Sequence, residues 1–361
     1  MADYREYKKL FIPGPTEVRK EILAEMERPM IGHRSKEFSG LYGELIPKLQ
    51  ELLYTKNKVF LSTSSSTGFM EAAVRNCVKK KCLNLVCGAF SEKWHKITVA
   101  NGKDAEAMEI KWGTGHRSKD IEEKLSTGEF DAMTLVHNET STGTMNKLYE
   151  IAEMMKKFPD VMFLVDTVSS MAGVKIEVDK LGIDVCLAGV QKAFAVPPGL
   201  AVAAVSEKAI EKAKQVENRG YYFDFLVFLK SDEKKQTPTT PAISQMYALN
   251  LQMDRIKEEG LENRFKRHKE MADYTRKWAS DNFELFVEEG YRSDTVTTVT
   301  NNKGINVAEL NDKLGEREMM LSNGYGDLKE KTFRIGHMGD LTLDEIKKLT
   351  DNVDEILGGV K

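Results

Sequence analysis

The fold that we expect for this chain follows from one segment, Phe163-Leu164-Val165-Asp166-Thr167-Val168-Ser169-Ser170, and from a lysine later in the chain, Lys192. An apolar run that stops at a carboxylate is typical of a buried strand, which here would deliver Asp166 to the carboxyl-terminal edge of a sheet. A second apolar run, at residues 185–190, leads to Lys192 in the same way. Because parallel strands gather their ligands at that edge, we expect Asp166 and Lys192 to lie close together.

A carboxylate and a primary amine at one sheet edge suit pyridoxal phosphate. The aldehyde of this cofactor needs a lysine for a Schiff base, and its pyridine nitrogen needs an acidic partner. Taken singly, Asp166 is better explained as the start of a turn, and Lys192 as one of many surface lysines. The flanking segments therefore decide between the two interpretations.

A short strand at residues 59–61 runs into the hydroxyl-rich segment 62–68, and a helical pattern follows. Strand, small hydroxyl residues and helix form a phosphate-binding arrangement, because backbone N–H groups and the helix dipole favour an anion there. The segment matches neither GxxxxGK nor GxGxxG. A flexible serine-rich linker is the alternative, but a linker would not sit tightly between a strand and an amphipathic helix.

The pattern along most of the chain alternates between strand and helix. The strand candidates are 83–87, 133–137, 162–165, 185–188 and 201–205, with helical patterns near 147–157 and 207–217. This alternation predicts an α/β fold with a mainly parallel mixed sheet flanked by helices. A long helix near 244–258 would lead to a small α+β domain with strands at 296–300 and 332–335. We therefore predict a large domain at 15–255 and a small C-terminal domain at 256–361 that also includes 1–14.

Composition narrows the class of protein. The chain has 361 residues, and 53 basic residues against 56 acidic ones give a formal net charge of −3, which argues against nucleic-acid and membrane-surface partners. No apolar span reaches the roughly 18 residues of a membrane helix, and the first residues contain no secretory h-region, so a cytoplasmic location is expected. The four cysteines have no metal-ligand spacing, so we expect no metal site.

A loop at residues 29–35 carries His33 and Arg34. It is explained equally well as a solvated connection and as an anion contact at the mouth of a site. The loop alone does not decide between them.

With these segments identified, the chain resembles the fold-type I, class V pyridoxal-phosphate aminotransferases, in particular the alanine/serine–glyoxylate and phosphoserine group. The resemblance runs from Pro13-Gly14-Pro15 to Arg334. It implies that Lys192, in Val190-Gln191-Lys192, is the Schiff-base lysine and that Asp166 pairs with the pyridine nitrogen. The other cofactor contacts that it implies are a phosphate loop at Ser65, Ser66 and Thr67, a ring-stacking Phe90, Val168 beneath the ring, Thr140 near the phenolic oxygen, and Gln191 on the phosphate side.

The resemblance also implies substrate and partner contacts. Arg334 matches the arginine that grips the substrate α-carboxylate, and Thr239 resembles the residue that reaches the phosphate of a neighbouring subunit. A homodimer with shared active sites is therefore expected. His33 and Arg34 resemble a pair that meets the distal phosphate of phosphoserine, although relatives for small uncharged substrates carry the same pair. The chain departs from the family at Ser66, where glycine is common, and at residues 188 and 190, where serines are common.

These features together predict transamination between a small L-amino acid of the alanine or serine type and a 2-oxo acid such as glyoxylate or pyruvate. A phosphoserine aminotransferase that uses 2-oxoglutarate and glutamate is the closest alternative. A cysteine desulfurase-like lyase is less favoured, because Gln191 stands where such enzymes carry histidine and no cysteine follows Cys186. A non-catalytic protein of this fold would be expected to have lost Lys192, Asp166 or Arg334.

Overall fold

The computed structural model describes residues 7–358. The strands within this range are β1 (Lys9–Phe11), β2 (Lys58–Ser62), β3 (Lys81–Val86), β4 (Asp104–Glu109), β5 (Ala132–Val136), β6 (Asn138–Glu139), β7 (Thr144–Met145), β8 (Met162–Asp166), β9 (Val185–Gly189), β10 (Ala201–Val205), β11 (Glu284–Leu285), β12 (Val296–Thr300), β13 (Met319–Asn323) and β14 (Thr332–Gly336). The helices are α1 (Lys20–Glu25), α2 (Lys36–Leu52), α3 (Ser66–Cys77), α4 (Ala89–Ala100), α5 (Ser118–Leu125), α6 (Leu148–Met155), α7 (Glu207–Lys214), α8 (Phe225–Asp232), α9 (Ile243–Glu259), α10 (Leu261–Asn282), α11 (Val307–Gly315) and α12 (Leu343–Ile356).

A seven-stranded sheet organises the larger part of the molecule, in the order β2-β10-β9-β8-β5-β3-β4. The pairs β9–β8, β8–β5, β5–β3 and β3–β4 are parallel, and β10 runs antiparallel to both β9 and β2. Every residue of β5, β8, β9 and β10 is buried, as expected for strands covered by helices on both faces. The predicted α/β fold with a mainly parallel mixed sheet is confirmed.

The central strands carry the chemistry to one edge of this sheet. Asp166 is the last residue of β8, and Lys192 follows the end of β9 by three residues. Because β8 and β9 are parallel neighbours, with Asp166 opposite Leu187, both side chains emerge at the same edge. The apolar runs that predicted these strands are therefore the reason that the two residues meet.

A second sheet has the order β1-β13-β14-β12-β11. Its strand β1 comes from the beginning of the chain and pairs in parallel with β13. Helices α10, α11 and α12 pack on this sheet through a separate apolar cluster. The boundaries that we predicted for two domains stay a prediction, and their residues 1–6 and 359–361 lie outside the described part of the chain.

The sequence patterns missed several elements, and three of them show why. Helix α2 contains Pro47, a residue that usually argues against a helix interior. Strand β4 lies at the edge of the large sheet, and its residues are only partly buried, so it has no apolar run. Helix α8 has apolar residues on most sides and therefore shows no clear 3.6-residue period.

Among residues 7–358, no helix combines the length and the apolar character that a bilayer crossing requires.

Candidate active site

A cavity of about 190 Å³ opens at the edge of the large sheet where β8 and β9 end. Its lining residues are Gly14, Pro15, Ser65, Ser66, Thr67, Met70, Phe90, Val136, Asn138, Thr140, Asp166, Val168, Gln191 and Lys192. Nine of the ten residues that we predicted to contact the cofactor are in this set, and Thr239 is not. The three predicted substrate residues His33, Arg34 and Arg334 also do not line the cavity.

Lys192 is buried, and residues near the beginning of the chain hold its side chain in place. Its Nζ donates a hydrogen bond to the Pro13 carbonyl, and its own carbonyl accepts one from Thr16 Oγ1 at 2.8 Å. Gly14 has a φ of 104°, and a Cβ at this position would overlap the Lys192 side chain. The segment around residues 13–16 therefore fixes the lysine, and only glycine allows the close approach at position 14.

Burial changes the ionisation of the two central groups in opposite senses. It lowers the pKa of Lys192 to about 8, and the positive charge of Arg334 adds to this effect. It raises the pKa of Asp166 to about 7, although the Val168 N–H donates to Asp166 Oδ1 at 2.7 Å and works against the rise. A buried lysine with a pKa of about 8 is more readily deprotonated than an ordinary lysine, and it is therefore suited to act as a nucleophile or a base.

Helix α3 presents its N-terminus to the cavity. Ser65 is its N-cap and makes no side-chain capping bond, while Ser66 and Thr67 form the first turn. Backbone N–H groups and hydroxyls at a helix N-terminus are suited to bind a phosphate. Ser66 and Thr67 thus belong to the helix itself and not to the preceding loop.

Phe90 is positioned by a carboxylate that the sequence patterns did not single out. Glu139 is fully buried and accepts hydrogen bonds from the N–H groups of Phe90, Ser91 and Ser141, at 3.2, 2.9 and 3.2 Å. The hydroxyls of Ser91 and Ser141 also donate to it. This carboxylate holds the first turn of α4 against the 138–143 loop, and so fixes the aromatic ring at the cavity.

Asn138 is a second residue that sequence reasoning missed as a site residue. It lines the cavity, its side chain is only 2% exposed, and neither its Oδ1 nor its Nδ2 has a partner among the described residues. Buried amide groups without partners are rare in proteins. The cavity therefore offers an unused donor and acceptor to a polar ligand. Only its place directly after β5 could have suggested this from the sequence.

Arg334 lies on β14 of the smaller sheet and reaches the rim of the cavity. Its Nη1 donates to the Thr140 carbonyl at 3.0 Å, and its Nε and Nη2 donate to the Asn323 carbonyl at 3.2 and 3.1 Å. It is buried, and within residues 7–358 it forms no ion pair with an acidic side chain. Burial lowers the pKa of Arg334 to about 10. A buried guanidinium without a counter-ion is suited to bind a carboxylate ligand.

Arg34 is already engaged within its own chain. It donates to Gln236 Oε1, the Thr237 carbonyl and the Pro238 carbonyl, at 3.1, 2.7 and 3.1 Å. These acceptors directly precede Thr239, whose carbonyl accepts from Thr237 Oγ1 at 2.8 Å. Arg34 therefore ties the 29–35 loop to the segment that carries Thr239.

The fold and the cavity together define an enzyme of the fold-type I transferase architecture. The chain belongs to the aminotransferase class-V family, which it matches over residues 16–342, and it is an aminotransferase. The predicted resemblance to this family is confirmed.

Similar proteins agree with this assignment. The chain is 42% identical to an uncharacterized aminotransferase of Methanocaldococcus jannaschii over 92% of its own length and 88% of the relative. It is 32% identical to the serine–glyoxylate aminotransferase of Methylorubrum extorquens, covering 92% of this chain and 86% of that one. The crystal structure of an alanine–glyoxylate aminotransferase from Nostoc sp. superposes with a TM-score of 0.92 at 28% identity, over 99% of this chain and 97% of the other.

Proposed function

We propose that the protein transfers the amino group of a small L-amino acid, alanine or serine, to a 2-oxo acid such as glyoxylate or pyruvate, with pyridoxal phosphate as cofactor. The observation that carries this proposal is the meeting of Lys192 and Asp166 in one cavity, near the guanidinium of Arg334, which has no acidic counter-ion among residues 7–358 and donates to the carbonyl of Thr140 in the cavity lining. The glyoxylate-dependent relatives described above support the choice of acceptor.

The residues of the cavity fit pyridoxal phosphate. Lys192 would hold its aldehyde carbon, Asp166 its pyridine nitrogen, and the N-terminus of α3 its phosphate, while the unpartnered amide of Asn138 offers hydrogen bonds to its polar substituents. When bound, the cofactor supplies the carbonyl carbon that takes up the amino group and a ring that withdraws electrons from the substrate Cα.

Lys192 is the group that moves the proton. Its Nζ would take the proton from the substrate Cα as a base and would then deliver it, as an acid, to the cofactor carbon that bears the amino group. Because burial brings the pKa of Lys192 to about 8, about a tenth of the amine is neutral at pH 7 and can act as a base. An amine with the usual lysine pKa would be almost wholly protonated there.

Asp166 and Arg334 set the charge and the orientation. The Asp166 carboxylate favours a protonated ring nitrogen, and that positive charge in turn favours the ionised form of this buried acid. Arg334 binds the substrate α-carboxylate through two parallel N–H groups, which fixes the direction of the Cα–H bond. Its two hydrogen bonds to the Asn323 carbonyl keep the guanidinium in place before substrate binds.

The competing functions fit the chain less well. A cysteine desulfurase needs a mobile nucleophilic cysteine, whereas all four cysteines are buried and none follows Cys186. A phosphoserine-directed enzyme would need a cation beside the distal phosphate, whereas Arg34 is exposed, lies outside the cavity lining and donates hydrogen bonds to the 236–238 segment. A non-catalytic protein of this fold would have no reason to retain Lys192 with a lowered pKa.

The proposed enzyme is a homodimer in the cytoplasm. Thr239 lies outside the cavity of its own chain, which supports a homodimer in which it reaches the phosphate site of the partner. The resemblance to the family implies that His33 lies near the substrate end of the same shared site. We place the enzyme in the cytoplasm.

A panel of donors against a panel of acceptors tests the function. Alanine, serine, phosphoserine and aspartate should each be paired with glyoxylate, pyruvate and 2-oxoglutarate. The proposal expects the largest kcat/KM for alanine or serine with glyoxylate, and no activity in Lys192→Ala. Turnover restricted to phosphoserine with 2-oxoglutarate would overturn the substrate assignment.

A further inference from the structure

An aromatic residue in the loop after β13, Tyr325, packs against Phe90, which lines the cavity. The ring of Tyr325 lies 5.3 Å from the ring of Phe90, at an interplanar angle of 43°. The same ring lies 5.5 Å from Cζ of Arg334. Tyr325 therefore contacts both Phe90 of α4, a helix beside the large sheet, and Arg334 of β14. Phe90 lines the cavity, so these contacts lie next to it.

The loop that carries Tyr325 is held in a fixed shape. Asn323 ends β13, and its side chain accepts from the Gly324 N–H at 2.7 Å and from the Glu330 N–H at 2.8 Å. The carbonyl of this same Asn323 is the acceptor for Arg334 Nε and Nη2. A Cβ at Gly324 would overlap the Leu328 backbone, so the turn before Tyr325 depends on glycine. Tyr325 and Arg334 are thus parts of one unit.

Tyr325 nevertheless remains 37% exposed in the single chain. Its hydroxyl makes no hydrogen bond within residues 7–358. The ring acts here through its face and its bulk, and part of its apolar surface is available to a ligand.

We infer that Tyr325 is a specificity-determining residue whose ring limits the length of the donor side chain. The inference rests on the proposed function, because the Tyr325 ring lies against the guanidinium that would bind the donor carboxylate and against Phe90, which lines the cavity. Alanine and serine end at or just beyond Cβ and clear the ring. Each further methylene meets Tyr325 or Phe90, and one methylene in a confined pocket changes kcat/KM by about tenfold or more.

The test uses a straight-chain donor series, namely alanine, 2-aminobutyrate, norvaline and norleucine, with glyoxylate as acceptor. The holoenzymes compared are wild type, Tyr325→Phe, Tyr325→Ala and a control, Tyr149→Ala, which removes a similarly exposed tyrosine from α6. We expect kcat/KM to fall steeply with donor length in wild type, Tyr325→Phe and Tyr149→Ala. In Tyr325→Ala the norleucine-to-alanine ratio should rise by about tenfold or more.

A role in orienting Arg334 alone would give a different result, because Tyr325→Ala would then lower kcat/KM equally for all four donors. That outcome, or an unchanged length dependence, overturns the inference.

Binding of carboxylates separates this inference from the proposed function. Calorimetry with propionate and hexanoate requires no turnover, and wild type should prefer propionate while Tyr325→Ala loses the preference. If no donor is turned over but this loss is seen, the proposed reaction fails and the role of Tyr325 stands. If donors are turned over and both proteins bind the two acids alike, the role of Tyr325 fails.

Discussion

The lowered pKa of Lys192 makes a quantitative prediction about cofactor uptake. Only the neutral amine attacks an aldehyde, so the rate at which the apoprotein takes up pyridoxal phosphate should follow the neutral fraction of Lys192. Burial and the charge of Arg334 bring this pKa from 10.5 to about 8. At pH 7 the neutral fraction is then about 300-fold larger than for a lysine with the usual pKa.

The assay follows the absorbance change on mixing apoprotein with the cofactor between pH 6 and pH 10.5. The cofactor ionises in the same range, so each rate is divided by that of Nα-acetyl-lysine amide under identical conditions. The corrected rate should stay constant at low pH and fall as the pH rises, with the midpoint of the change near pH 8, because Lys192 is then already mostly neutral while the reference amine still gains neutral form. In Arg334→Gln the midpoint should move upward, since the neighbouring positive charge that favours the neutral amine is lost. A midpoint near 10 in the wild type would refute the reasoning.

Three further predictions concern neighbouring residues. Arg334→Gln should lower kcat/KM for every donor alike by about 10- to 150-fold, because all donors share the α-carboxylate and a charged hydrogen bond contributes about 1.5–3 kcal/mol. A loss confined to one donor would contradict this role. Arg34→Ala should weaken cofactor retention, measured by dialysis and absorbance, and should lower turnover of all donors equally, because Arg34 supports the segment that carries Thr239. Selective loss of phosphoserine turnover would restore the interpretation of Arg34 as an anion contact. Gly14→Ala should slow cofactor uptake, because the added Cβ would overlap the Lys192 side chain, whereas the control Gly102→Ala, at a φ of 68° with open space around it, should lower the Tm and leave uptake unchanged. Equal rates of uptake in both variants would contradict a role for the close approach at Gly14.

Much of the fold followed from the sequence because its decisive elements have strong patterns. The buried strands that end at Asp166 and lead to Lys192 are uninterrupted apolar runs, and such runs leave few other interpretations. The hydroxyl-rich segment before α3 was recognised because its residues follow a strand and precede an amphipathic helix. The resemblance to class V aminotransferases then supplied the roles of single residues, which periodicity does not provide.

The parts that were missed depend on partners far away in the chain. Glu139 looks like any acidic loop residue until the N–H groups of Phe90 and Ser91, some 50 positions earlier, are seen to converge on it. Asn138 shows its unpartnered amide only when the cavity is known. Tyr325 lies in a glycine-rich loop that sequence patterns mark only as a turn. The roles of His33 and Thr239 across a dimer stay predictions.

Chemical trapping at Lys192 tests the central claim most directly. The purified protein, loaded with pyridoxal phosphate, should be yellow, and treatment with borohydride should fix the cofactor covalently to the peptide that contains Lys192. Mass spectrometry of the digested protein locates the modified residue. The account predicts a single modified lysine, Lys192, and no modification in Lys192→Ala. Modification of a different lysine, or no retained cofactor, would contradict it.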